Sequence, residues 1–196
     1  MSELKQTPSQ TVGPFFAYGL CPEQYNFDFK SLFTANAAEP HAAGEHIIVM
    51  GKVYDGSGAA VGDAIVESLQ ADASGHYVAS QEEASARGFT GFCRVGTGTE
   101  QGNAYVIRTL KPGPVAPGAA PCIDIILHMR GMLLHAFTRL YFEDEPEANE
   151  GDAVLGRVPA ERRRTLIAKL DPDSSVKLYR FDIHLQGPDE TVFFDY

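Results

Sequence analysis

Residues Leu178 to Leu185 alternate strictly: Tyr179, Phe181, Ile183 and Leu185 fall on one side, and Leu178, Arg180, Asp182 and His184 on the other. A period of two with one wet face marks a half-buried β-strand, because successive side chains leave a pleated backbone on opposite faces. The chain therefore needs a sheet with one apolar side, and other segments supply strands for it. His46 to Tyr54 is apolar and partly β-branched, and stops at the turn signal Asp55-Gly56-Ser57-Gly58. Ala64 to Leu69 then reads as the return strand of a hairpin. Ala104-Tyr105-Val106-Ile107 starts after Gly102-Asn103. Ile123 to Met129 and Met132 to Phe142 flank Arg130-Gly131, which reads as a tight hairpin.

One internal helix is expected, Ala160 to Lys169, with Pro159 at its first turn and Leu166 and Ile167 as anchors. Its Arg162-Arg163-Arg164 reads as a solvated face opposite the acidic run Glu143, Asp144, Glu145, Glu147, Glu150 and Asp152. Thr7 to Tyr18 holds Pro8, Gly13 and Pro14, which argues against a helix through most of its length. Its apolar Val12, Phe15, Phe16 and Tyr18 predict an extended arm laid on the body or on a neighbour. Many short strands, Gly and Pro turns and few helices predict an all-β fold. The expected architecture is an antiparallel β-sandwich core with an extended N-terminal arm and one or two short helices. Residues 1–196 read as a single domain, with 1–45 as arm and loops and 46–196 as the sandwich.

Composition mainly excludes. The 196 residues are 44% hydrophobic and 21% charged, which is ordinary for a chain with a packed core. A formal net charge of −10 argues against nucleic acid or an anionic membrane as main partner. Cys21, Cys93 and Cys122 are odd in number and lack CxxC spacing, so they read as free thiols in a reducing cytoplasm. Met1 to Lys5 has no apolar run, so no signal peptide is expected. The most apolar stretch, Ile123 to Phe142, is broken by Asp124, His128, Arg130, His135 and Arg139 and is no membrane span.

Motifs for chemistry are scarce. There is no GxSxG, HExxH, Walker loop or GxGxxG opening a helix. The histidines show no HxH spacing. His128 and His135 are placed to approach each other across the Arg130-Gly131 hairpin, as a structural pair. Tyr77, Tyr105, Cys122 and Asp124 are the remaining side chains with ligand character. On these grounds alone the chain is a β-rich domain suited to interaction with a partner.

Four stretches add more. They are Thr7-Pro8-Ser9-Gln10-Thr11-Val12-Gly13-Pro14-Phe15-Phe16; Gly51 to Gly58 with Glu67 to Tyr77; Arg108-Thr109-Leu110-Lys111-Pro112-Gly113-Pro114; and Tyr179 to Ile183 with Thr191 to Asp195. In this order they resemble the intradiol ring-cleaving dioxygenases. The arm and the tail resemble the α subunit of the family's two-chain members. The resemblance implies a β-sandwich and an enzyme that cleaves a carboxylated catechol with O₂. The implied cofactor is Fe(III) on two tyrosines and two histidines.

Carried over by position, the first tyrosine ligand matches Tyr77. The second falls on Val115, directly after the KPGP turn, and the histidine pair after Pro121 falls on Cys122 and Asp124. One of four ligands is kept, so the resemblance implies a vestigial site here and Fe(III) held by a partner β subunit. Residues 1–45 would pack on that partner. The arm residue Thr11 and the hairpin residue Arg130 match positions bordering the β-subunit pocket, where an arginine suits a substrate carboxylate. The competing expectations are a self-sufficient intradiol dioxygenase with altered ligands and a non-enzymatic ligand-binding β-sandwich.

Overall fold

A computed structural model describes residues 5–195. Met1 to Leu4 and Tyr196 lie outside the described residues, and with them the segment bearing on a signal peptide and the start of the expected arm. Along the chain run α1 (Phe15–Leu20), β1 (His46–Tyr54), β2 (Ile65–Leu69), α2 (Gln81–Arg87), β3 (Phe92–Gly96) and β4 (Ala104–Leu110). They are followed by β5 (Cys122–His128), β6 (Ala136–Phe142), α3 (Pro146–Gly151), β7 (Ile167–Leu170), β8 (Leu178–Arg180) and β9 (Ile183–His184). Among the described residues no helix is long and apolar enough to cross a membrane.

The strands hydrogen-bond in the order β3-β2-β5-β6-β7-β8-β1-β4, with β9 beside β1. Two larger blocks, β3-β2-β5-β6 and β8-β1-β4, are joined through short β7, which pairs with β6 and β8. Both blocks line one core, including Val49, Val66, Ile107, Ile125 and Phe142. The β-rich expectation is met, and the sheet is nearly closed, with β3 and β4 approaching at its ends. It is not purely antiparallel: β1 runs parallel to β8 and β9, and β6 to β7. Each of these pairs is joined by a long connection, as a parallel pair requires.

Several local expectations are corrected. Asp55 does nucleate the turn after β1, its Oδ1 accepting from Ser57 N at 2.8 Å and Ala59 N at 3.0 Å. Yet β2 does not return along β1. Both edges of β1 are occupied, one by β4 and the other by β8 and β9, so β2 crosses to pair with β3 and β5. The alternating segment 178–185 keeps its phase, with Tyr179, Phe181 and Ile183 buried, but splits into β8 and β9. The cause lies on β1. Lys52 N donates to the Asp182 carboxylate at 2.8 Å, so a side chain interrupts the backbone ladder there. Gly51 is required beside it, because a Cβ would fall 1.7 Å from Phe181 O.

The expected helix at 160–169 shrinks to a 3-10 turn, Arg163–Leu166, followed by β7. Thr165 Oγ1 bonds back to Arg162 O at 2.8 Å, and Ile167 and Ala168 are recruited to pair with β6. Tertiary pairing overrides local helix propensity here. The three arginines do not face the acidic run. Arg162 and Arg164 reach Glu190 and Asp189, and Arg163 reaches the carbonyls of Val158 and Gly156. The arm is extended only as far as Gly13. Pro14 then opens α1, since proline is accepted at a helix start. The tail lies on the chain's own β6, with Phe194 N donating to Phe137 O at 2.8 Å.

A second small core gathers Ala120, Tyr141, Leu155, Val158 and Leu166. Buried Asp152 organises it. Its Oδ1 accepts from Leu155 N at 2.8 Å, Tyr141 OH at 2.9 Å and Val154 N at 3.0 Å, and its Oδ2 from Ala120 N at 3.0 Å. This carboxylate ties the 152–158 loop to the start of β5 and to β6.

Candidate functional site

The connection from β5 to β6 is longer than a two-residue hairpin and spans residues 129–135. It begins with a turn closed by Met132 N and Met129 O at 3.3 Å. Gly131 is the third residue of that turn at φ +92°, a left-handed conformation that a side chain would strain. Arg130 stands before it, exposed. The arm meets the turn: Gly131 N donates to Thr11 Oγ1 at 2.8 Å, and Met129 O lies 3.5 Å from the same oxygen. Thr11 and Arg130, far apart in sequence, are thus brought together on one turn. Arg130 Nε lies 2.9 Å from Asp63 Oδ2. The turn borders a cavity of about 630 Å³ with apolar walls, among them Met129, Met132, Leu134, Phe137 and Phe193, and with Arg130 at its edge.

His128 and His135 do approach, with ring centroids 5.6 Å apart. His128 Nε2 lies 3.5 Å from Glu67, which also binds Arg94 Nε at 2.6 Å. The His128 contact, the largest influence, holds the Glu67 carboxyl below its usual range, against burial and with help from Arg94. Glu67 on β2 thus stands between Arg94 on β3 and His128 on β5.

The other four positions lie on two loops and one strand. Tyr77 follows a tight loop in which Asp72 Oδ1 accepts from Ser74 N at 2.8 Å and His76 N at 3.1 Å. That loop rests on the Pro112–Val115 turn. Gly113 N donates to Asp72 O at 2.8 Å, and Gly75, at φ +82°, sits where a Cβ would be 2.1 Å from Pro114 O. Tyr77 and Val115 are 41% and 45% exposed. Cys122 and Asp124 share one half-buried face of β5. Across the ladder Asp124 faces Arg139, whose Nε donates to Asp124 Oδ1 at 2.7 Å. Burial pushes the Cys122 thiol up to about 12, and the Arg139 charge offsets only part of that. Tyr105 is no ligand candidate in place: it is fully buried and donates to Phe181 O at 2.5 Å.

The family model described as "Dioxygenase" (Dioxygenase_C) matches residues 24–187. Over 197 residues, covering 100% of both chains, the sequence is 57% identical to a protocatechuate 3,4-dioxygenase alpha chain from Burkholderia cepacia. The chain belongs to the intradiol dioxygenase family. To a protocatechuate 3,4-dioxygenase beta chain from the same organism it is 31% identical, over 76% of this chain and 67% of that one. Among solved structures, an intradiol ring-cleavage dioxygenase from Tetranychus urticae shares the fold. Its TM-score is 0.61 at 19% identity, covering 81% of this chain and 88% of that one.

The ferric ion implied by the resemblance to intradiol dioxygenases does not fit the side chains found here. The resemblance implies two phenolate and two imidazole donors, and of these positions only Tyr77 keeps its donor. Val115 has no donor, the Cys122 thiol resists ionisation, and the Asp124 carboxylate is already bound by the fixed charge of Arg139. Among the described residues no group of three or more His, Cys, Asp and Glu is arranged to hold a metal. Reading the sequence misses Arg139 and Asp63, because neither lies in a motif. Only the β5–β6 register and the chain's path to β2 bring them to these positions.

Proposed function

We propose that this chain is the α subunit of a protocatechuate 3,4-dioxygenase. The αβ enzyme would cleave 3,4-dihydroxybenzoate with O₂ between its two hydroxylated carbons to 3-carboxy-cis,cis-muconate. Fe(III) would be held by the β subunit. The observation that carries this reading is the turn at Arg130, pinned by Thr11 of the arm and opening on an apolar cavity. A guanidinium there is suited to the one charged group of the substrate, its carboxylate. Tyr77, Val115, Cys122 and Asp124 would be vestigial metal-site positions and take no part in catalysis. The acidic chain and its three free cysteines agree with a cytoplasmic enzyme.

The whole chain reads as one domain; of its first 45 residues, expected to pack on a partner, Ala37 and Ala42 lie in this chain's own core, and the exposed remainder of the described residues would pack against the β subunit. Phe15, Phe29 and Leu32 in that segment are 78%, 73% and 88% exposed, large apolar side chains left uncovered in the chain alone. Obligate interfaces are commonly large and apolar. Expressed alone, the chain should self-associate or aggregate; co-expressed with a β chain it should elute as one stable complex with ring-cleaving activity. Size-exclusion chromatography with light scattering checks this. A monodisperse folded monomer that ignores the β chain would rule the reading out.

A further inference from the structure

Behind Arg130 lies an acidic side chain, Asp63. Asp63 precedes β2, and its side chain is largely buried, with Oδ2 closed off from solvent. That oxygen makes no hydrogen bond of good geometry, and Arg130 Nε, 2.9 Å away, is its counter-charge. A carboxylate oxygen is not left in such a place without a cation beside it. The pair is asymmetric in exposure: the Asp63 side chain is 18% exposed and the Arg130 side chain 66%. Asp63 therefore belongs to the body of the protein, and Arg130 leans from it into solvent.

Geometry decides what this does. Asp63 lies nearest to Nε, on the flank of the guanidinium, as an ion pair without hydrogen-bond alignment. Among the described residues Asp63 is the charged partner of Arg130, and no hydrogen bond is made by its two terminal amino groups. Those two groups form the end-on edge of the fork, the edge that meets a carboxylate with two parallel hydrogen bonds. The backbone at Arg130 is fixed separately, by Thr11 on Gly131. One contact sets where the side chain starts and the other tethers its guanidinium by charge.

We propose that Asp63 is a positioning residue for substrate specificity, its buried charge tethering the Arg130 guanidinium beside the turn so that its exposed edge receives a single planar carboxylate. This rests on the reading of the Arg130 turn as part of the substrate pocket. An opposing effect exists, because the negative charge of Asp63 also repels an anionic ligand. Orientation wins on magnitude. Water screens that repulsion at an exposed arginine, whereas a freed arginine side chain regains its full rotamer freedom and must lose it again on binding.

The test uses the αβ complex with two substrates, 3,4-dihydroxybenzoate and catechol, which lacks the carboxylate. Asp63→Ala should raise KM for 3,4-dihydroxybenzoate about fivefold to tenfold, with kcat and the catechol constants nearly unchanged. Asp63→Asn keeps the shape but not the charge that tethers Arg130 and should show the same loss; full affinity in this variant also overturns the proposal. If Asp63→Ala fails to assemble, Asp63→Ser is read in the same way. An unchanged or lowered KM, or an equal loss on both substrates, overturns the proposal. Arg130→Ala is measured alongside. If it too fails to distinguish the substrates, the pocket reading itself is wrong; if it distinguishes them and Asp63→Ala does not, only the role of Asp63 falls.

Discussion

Arg130→Ala is expected to lower kcat/KM for 3,4-dihydroxybenzoate by about tenfold to a hundredfold while leaving catechol nearly untouched. A charge-assisted hydrogen bond contributes roughly 1.5–3 kcal/mol, and that range converts to this loss in rate. An exposed arginine on a turn should also be removable without harm to the fold, but the structure adds a cost. With Arg130 gone, the buried Oδ2 of Asp63 loses its counter-charge. The variant should therefore melt somewhat lower, by about 1 kcal/mol of stability. This loss is common to both substrates, so the ratio of their kcat/KM values isolates the carboxylate contact. Steady-state kinetics on the αβ complex measures the ratio. Equal losses would make Arg130 a structural residue, and no loss would place it outside the pocket.

The largest effect on stability should come from Asp152→Ala. Its carboxylate accepts three backbone N–H groups and the Tyr141 hydroxyl, within a core of Ala120, Leu155, Val158 and Leu166. Alanine leaves all four donors without an acceptor, and each buried orphan costs roughly 1–3 kcal/mol before water enters to relieve it. A total of about 3–5 kcal/mol is expected, which lowers Tm by about 10 °C in a chain of this size. Acidification reports on the same group. Burial pushes the Asp152 carboxyl up, but the hydrogen bonds from Leu155 N, Ala120 N and Tyr141 outweigh it, so its value lies below the ordinary one. A group lowered in the folded state stabilises fully above its unfolded pKa of roughly 3.9, and this contribution fades as pH falls through the folded value. Thermal melts below about pH 5 should therefore fall less steeply for the variant than for the wild-type chain. Parallel curves would mean that Asp152 does not ionise differently on folding.

The segments that became strands were legible where burial imposes period two. His46–Tyr54 forms a strand as its apolar run suggested, and the 178–185 face kept its phase, because each lies over one continuous core. What was not legible depends on partners distant in sequence. The split between β8 and β9 follows from the Asp182 carboxylate taking the Lys52 N–H, and β7 replaced a helix because the two strand blocks need a link between β6 and β8. By contrast α2 carried a local signal that was there to be read. Ser80 accepts from Glu83 N at 3.1 Å, and Gly88 closes the helix at φ +65°, so cap and stop both stand in the sequence. Thr11 and Arg130 were reachable only through the family resemblance, since nothing local links an arm threonine to a turn arginine. Asp63 and Arg139 were beyond either route, because their significance is a distance to another side chain.

Iron content tests the central claim most directly. The metal would be quantified in this chain purified alone and in its complex with the β chain, together with visible absorption. The account predicts an iron-free, colourless chain alone, and iron with tyrosinate-to-metal charge-transfer absorption only once the β chain is present. Stoichiometric Fe(III) in the isolated chain would contradict it, because Val115, Cys122 and the Arg139-bound Asp124 offer no set of donors to hold the ion.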